Sequence, residues 1–310
     1  MNRRTLNLRL LIISGLAALL CGGAIVILHS FQIAKTAQAM LVLAEREEKE
    51  SSWLKAAEYL DLYLRLVPND RLAHVRLATD YSKGAETSEQ KVRAIELHYS
   101  ALGFCPTGEE FTLQVQLTEL LLETGRYFEA RSQAQQLATL HPESPVTNRL
   151  LALATFRQFQ QGALASEDLK QLGLLKIVEK GHSLNPEDIS LAIALATLYR
   201  QYPRLVGIER PETPEEDYIR LADETLERLV RNKPGSPQVH LTRFRYRTQF
   251  KLDGAQADLE EAFRLAPNDI VIMRTVSFAA LETARQRKQS GETKTAIPHY
   301  ARAKSILQRI

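Results

Sequence analysis

Six prolines punctuate this 310-residue chain at nearly even spacing, and that rhythm constrains the fold more than any other feature. Pro68, Pro106, Pro142, Pro186, Pro234 and Pro267 lie 38, 36, 44, 48 and 33 residues apart. Four of them open similar tripeptides: Pro68-Asn69-Asp70, Pro142-Glu143-Ser144, Pro186-Glu187-Asp188 and Pro267-Asn268-Asp269. Each has a helical pattern before it and another after it. Proline cannot continue a helix interior, so it ends the first helix. Asp70, Ser144, Asp188 and Asp269 then suit the N-cap of the next. Ser144-Pro145 and Ser236-Pro237 add proline at the first helical position, where its missing N–H costs nothing. The pattern predicts tandem helix–turn–helix units.

Between the prolines, small and aromatic residues recur in register. The third unit gives Leu117, Leu121, Gly125-Arg126-Tyr127, Ala130, Ala134, Leu137 and Pro142. The second gives Leu77-Ala78, Tyr81, Ala94, Ala101 and Pro106, and the fifth Leu195-Ala196, Tyr199, Ala222, Leu226, Leu229 and Pro234. The fourth departs most, with Leu174, Val178 and Gly181 at the usual small and aromatic positions. In this register the chain resembles the tetratricopeptide repeat (TPR) family. The resemblance implies an all-α fold: an α-solenoid of about seven TPR-like hairpins. The units fall near 37–70, 71–108, 111–144, 145–188, 189–236, 237–269 and 270–310, within a TPR-like superhelix over 30–310. One such unit cannot bury its own apolar face, so stacking supplies the core.

The N-terminus has a different character. Residues 10–28 form an uncharged run, LLIISGLAALLCGGAIVIL. At about 1.5 Å per residue it reaches roughly the 30 Å of a hydrocarbon core. The expectation is a single transmembrane helix over 10–29, in contact with a lipid bilayer, behind a basic cytoplasmic tail at 1–9. Arg3, Arg4 and Arg9 precede the run and place the N-terminus in the cytoplasm. The remainder is then non-cytoplasmic, in the periplasm if the membrane is a bacterial inner membrane. A cleaved signal peptide competes, because Ala37-Gln38-Ala39 has the small-x-small form, but the apolar run is longer than an ordinary signal core. Ser14, Ala18 and Gly22 share one helix face and form a candidate association face for a homo-oligomer. With no glycine or proline between Ala24 and Val67, the span is expected to run on into the first repeat helix.

Charge argues against nucleic acid. The net charge is +3, but residues 1–40 hold four basic residues and no acidic ones, which leaves 36 basic against 37 acidic residues elsewhere. Arg243-Phe244-Arg245-Tyr246-Arg247 interleaves basic and aromatic residues, yet Arg245 points away from Arg243 and Arg247 on a helix. A solvated face or local ion pairs are the simpler reading, with contact to an acidic peptide the alternative. Cys21 and Cys105 make neither a disulfide scaffold nor a zinc site. The seven histidines contain no pair at helical ligand spacing, and phosphate-loop and nucleophile-elbow motifs are absent. The expectation is no catalysis, no cofactor and no metal.

Members of the TPR family use the inner face of the first helices as a groove for peptides or partner domains. The resemblance implies equivalent positions at Leu41 and Glu45, Val75 and Thr79, and Val115 and Glu119, which do not suit capture of a C-terminal carboxylate. Farther along come Arg149, Leu153 and Phe156, then Ile193, Thr197 and Arg200. Arg149, Leu153, Phe156, Ile193 and Arg200 form the candidate partner groove, since aromatic and arginine anchors dominate interface energetics. Extra length at Ser82–Val92, Gln158–Gln171 and Gln201–Asp217 is expected at one edge of the stack. The apolar Tyr202, Leu205, Val206 and Ile208 of the last either pack back on the stack, the favoured reading, or meet a partner, and Thr213 caps the next helix. Ile306, Leu307 and Ile310 are expected at an open end. The functional expectation is a membrane-anchored scaffold that binds a protein or peptide. The alternative is the N-terminal accessory part of a larger envelope enzyme or of a secretion or assembly complex.

Overall fold

The computed structural model describes residues 8–105, 108–162, 173–210, 212 and 214–310, with the side chains of 8–18, 20–22, 24–27, 208, 209 and 215 outside the described set. Among the described residues there are fifteen helices and no strand. The chain divides into two compact units, Met1–Leu137 and Ala138–Ile310.

In the first unit, α1 (Leu8–Lys49) pairs with α2 (Trp53–Leu66) and α3 (Arg71–Gly84) with α4 (Ser88–Leu102), followed by α5 (Glu110–Glu123) and α6 (Tyr127–Leu140). In the second, α7 (Pro145–Gln160) pairs with α8 (Leu174–Leu184). Next, α9 (Ile189–Gln201) and the short α10 (Pro203–Glu209) lead to α11 (Glu215–Asn232). The hairpins α12 (Pro237–Gln249) with α13 (Ala255–Leu265), and α14 (Ile270–Gln289) with α15 (Thr293–Leu307), complete it. The architecture is all-α and built of TPR-like helical repeats.

The turns are built as the proline rhythm requires. Asp70, Asp188 and Asp269 each cap the following helix, accepting hydrogen bonds from Ala73, Leu191, and Val271 and Ile272 backbone N–H groups. Ser144 and Ser236 also stand at N-caps, but their hydroxyls make no cap bond, and the proline at the next position starts the helix instead. A second regularity lies six residues after the proline. There the side chains of His74, Asn148 and His240 bond the carbonyls of Pro68, Pro142 and Pro234 at 2.9, 2.8 and 2.8 Å. A carbonyl freed at the helix end is thereby satisfied.

The hairpins close on small residues. Ala56, Ala78, Ala94, Ala130, Ala134, Ala152, Ala196, Ala222, Ala262 and Ala303 are all at 0% exposure. In the fourth repeat Gly181 takes this place. A Cβ there would lie 2.6 Å from the Ala152 Cβ and 3.0 Å from the Asn148 carbonyl oxygen. The departure from the repeat pattern therefore marks the tightest crossing of α7 and α8.

Several expectations need correction. Among the described residues no helix is long and apolar enough to cross a membrane. This overturns the single-pass placement, the bacterial inner-membrane address and the cytoplasmic-to-periplasmic orientation. The described side chains of α1 carry Lys35 and the charged run Glu45-Arg46-Glu47-Glu48-Lys49, and Ala37 and Ala44 are buried in the core with α2. The backbone of α1 is nonetheless one continuous helix. Ser14, Ala18 and Gly22 lie outside the described side chains.

Extra length at Ser82–Val92 does not project, because α3 runs to Gly84 and α4 starts at Ser88 behind a Thr87–Gln90 capping box. Most of Gln158–Gln171 lies outside the described residues. The segment Gln201–Asp217, by contrast, packs back as its apolar residues favoured: Val206 is fully buried, Tyr202 meets Phe159 edge-on at 4.8 Å, and the Tyr218 hydroxyl donates to the Arg210 carbonyl at 2.7 Å. Its following helix starts after Pro214 without a side-chain cap, and Thr213 is outside the described residues. Ile306 is buried with Leu259, Ile272 and Met273 instead of standing open, whereas Leu307 and Ile310 are exposed.

The first unit holds one unusual acid pair. Asp80 is 4% exposed, its Oδ2 has no partner, and Glu48, itself held by Arg76 at 2.7 Å, lies beside it. Burial and Glu48 push the Asp80 carboxyl up from 3.8 to about 6. The folded state therefore binds more protons than the unfolded one between these values. Stability contributed here is full below pH 4 and is lost as pH rises through about 6.

Two predictions follow from this packing. Gly181→Ala should lower stability by about 1–3 kcal/mol in thermal or urea unfolding. Gly235→Ala, where nothing lies within 4 Å, should leave it unchanged. Asp80→Asn should remove most of a fall in stability of about 1–2 kcal/mol between pH 4 and pH 6. An unchanged pH profile would contradict that assignment.

Candidate interaction site

The five candidate groove residues all lie in the second unit, on the first helices α7 and α9, but they do not form an open groove. Leu153 and Phe156 are 8% and 3% exposed, because α7 is buried continuously from Leu150 to Phe156. Neither is placed to meet a partner. Arg149 pairs with Asp188, the N-cap of α9, at 2.6 Å. It ties one turn to the next first helix. Arg200 is enclosed: it bonds Asp223 at 2.5 Å and the Tyr246 hydroxyl at 2.8 Å, and stacks over the Phe250 ring at 4.8 Å. Ile193 is open, with 41% exposure.

Arg200 belongs to a larger network linking α9, α11, α12 and α13. The Tyr246 hydroxyl donates to Asp223 at 2.6 Å, and burial together with that acceptor raises its pKa, so it stays protonated. Arg243 and Arg247, one turn apart on α12, both grip Glu227 of α11 at 2.6 Å. Both also grip Asp258 of α13, at 2.5 and 2.9 Å, and Asp258 is 2% exposed. A cavity of about 210 Å³ lies against these groups. Three arginines face three carboxylates here, so the charge is balanced. The alternating arginines of α12 thus form ion pairs across helices, as their helical spacing indicated, while Arg245 is exposed on the other side.

The sequence reading stopped at the fifth hairpin, but the same register continues. Counted from each N-cap, the position of Arg149 and Ile193 recurs at Leu241 and Arg274. The position of Leu153 and Thr197 recurs at Arg245 and Phe278. Arg245 and Arg274 are exposed, and Phe278 is 68% exposed. The open members of this register are therefore Ile193, Arg245, Arg274 and Phe278. Of the five residues expected to form the groove only Ile193 is open, and the other open positions of this register are residues not named for it. Counting on from Ser236 and Asp269 was the signal that could have found them.

Among the described residues no cluster of metal-ligating side chains occurs. His98 is buried, bonding the Ala94 carbonyl and Gln116 at 2.8 and 3.3 Å, and its pKa is lowered by burial. The Cys105 thiol is pushed up by burial and by Glu110 and Glu109.

No family model matches the chain, and no curated protein matches its sequence. Solved structures do resemble it. A tetratricopeptide repeat protein from Parabacteroides merdae is 14% identical, the match covering 88% of this chain and 93% of that one with a TM-score of 0.56. The fold is TPR-like. Human IFIT1, as a dimer with m7Gppp-AAAA, is 16% identical over 83% of this chain and 55% of its own, with a TM-score of 0.50. MamA from Desulfovibrio magneticus RS-1 is 17% identical over 63% and 94%, with a TM-score of 0.47. At such identities the likeness concerns the fold, and the TPR-like architecture leaves function to be argued from the surfaces.

Asp258 is the keystone of the ion-pair network. Asp258→Ala should cost about 3 kcal/mol in urea unfolding, because it leaves two largely buried guanidinium groups without the buried one of their two shared acceptors. Adding Arg247→Met should recover part of the loss. Wild-type stability in the single variant would contradict a structural role for the network.

Proposed function

We propose that the chain is a non-catalytic protein–protein interaction scaffold whose TPR-like first helices present Ile193, Arg245, Arg274 and Phe278 to a protein or peptide partner. The fold likeness to a tetratricopeptide repeat protein over most of both chains carries this reading. The exposed side chains give it a place. Phe278 is a large apolar group with 68% exposure on a helix whose other face is core. Arg245 and Arg274 form no hydrogen bond or ion pair among the described residues. Aromatic and arginine side chains are the residues that carry most interface energy.

A nucleic-acid groove, as a reader of the capped RNA bound by IFIT1 would need, finds less support. Single-stranded nucleic acid asks for free basic groups beside stacking aromatics. Here Arg200, Arg243 and Arg247, the arginines nearest the Tyr246 and Phe250 rings, are neutralised by Asp223, Glu227 and Asp258.

A photo-crosslinking residue placed at position 278 or 193 of the full chain should capture a protein partner in cells. The same residue at the exposed Glu96 of the second helix α4 should not. Adducts from position 96 alone would contradict the assignment.

A further inference from the structure

A second surface lies where the second helices α8 and α11 and the first helix α9 meet the segment after α10. It is an open recess of about 640 Å³. Among the described residues four basic side chains line it, Lys176, Lys180, Arg210 and Arg228, against one carboxylate, that of Glu179. That carboxylate is already neutralised, by Arg210 at 2.7 Å and by the Tyr199 hydroxyl. Lys180 reaches the Pro142 carbonyl and Glu143 at 2.9 and 3.2 Å. Arg228 is exposed and has no hydrogen-bond or ion-pair partner among the described residues.

The imidazole of His182 also lines this recess. It is 8% exposed, and neither ring nitrogen makes a hydrogen bond among the described residues; Nδ1 is shut off from solvent. Nδ1 is closed to a ligand as well, so Nε2, which is not shut off and also lacks a partner, is the atom left for a ligand to complete. Burial and the neighbouring Arg228 charge lower its pKa, which leaves a neutral ring with one N–H to donate. His74 and His240, by contrast, each bond a turn carbonyl.

Resting on the scaffold reading, we propose that this recess is a carboxylate-binding subsite for an acidic peptide, with Arg228 supplying charge and the Nε2–H of His182 a hydrogen bond to the same carboxylate. Three observations favour a peptide over other anions. The lining is net positive yet includes the apolar Leu195, which suits an acidic side chain beside an aliphatic one. Among the described residues no Phe, Tyr or Trp ring lines the recess to stack a base. And Arg210, which forms one wall, comes from the long segment 201–217 that the fifth repeat inserts, so the insertion completes the site.

The test uses the full chain, selectively labelled with ¹⁵N-histidine, and three probes. These are a blocked decapeptide of alternating Glu and Leu, a deca-thymidylate and inorganic phosphate. The peptide should bind by fluorescence anisotropy and shift the His182 ring resonances. Arg228→Glu should weaken binding about tenfold, whereas Arg220→Gln on the same helix should not change it. Absence of peptide binding, or binding that survives Arg228→Glu, would overturn the proposal. So would tighter binding of the deca-thymidylate, or phosphate alone reproducing the His182 shifts with equal affinity. The scaffold reading fails by a different result, loss of capture from positions 278 and 193, so the two can be told apart.

Discussion

Close approach of paired helices at residues with little or no side chain is the constraint on which the rest depends. Ala152 and Gly181 show it most tightly, since one methyl group would collide with the neighbouring helix. Alanines repeat the device along both units. Close crossing brings the flanking leucines of each hairpin into contact with the next, and burial of those side chains at about 25 cal/mol per Å² is what holds a row of otherwise unstable hairpins together. The same geometry leaves part of each first helix uncovered, which makes a repeat fold a surface for partners.

Charge follows from that packing. Where apolar side chains cannot fill the space between hairpins, arginine and carboxylate groups bridge it: Arg149 to Asp188, Arg243 and Arg247 to Glu227 and Asp258, Arg302 to Glu260. Several arginines are thereby spent on architecture. Arg228, Arg245 and Arg274 are among the basic groups that no carboxylate answers among the described residues. One lies beside an unsatisfied histidine and two share a register with an exposed phenylalanine.

The repeat was legible because its signals are local. Proline ends a helix and an aspartate begins the next wherever they fall, and Asp70, Asp188 and Asp269 cap as their sequence context indicates. The groove was less legible because exposure depends on the neighbouring hairpin. Phe156 and Phe278 are both aromatic and on first helices, yet one is core and the other open, at 3% and 68%. Arg200 reads as a surface anchor until Asp223, Tyr246 and Phe250, up to fifty residues on, close around it. The apolar run at 10–28 suggested a membrane span by composition alone, whereas the described part of its helix brings charge and repeat packing. The unpaired His182 had no local signature at all, since it depends on what three helices fail to supply.

Hydrogen exchange followed by mass spectrometry on the full chain tests the central claim most directly. If stacked hairpins closed on small residues form the core, peptides covering 150–156 and 191–199 should be the slowest to exchange in the second unit, with the turns at 185–188 and 233–236 fast. Rapid exchange through 150–156 would contradict the account.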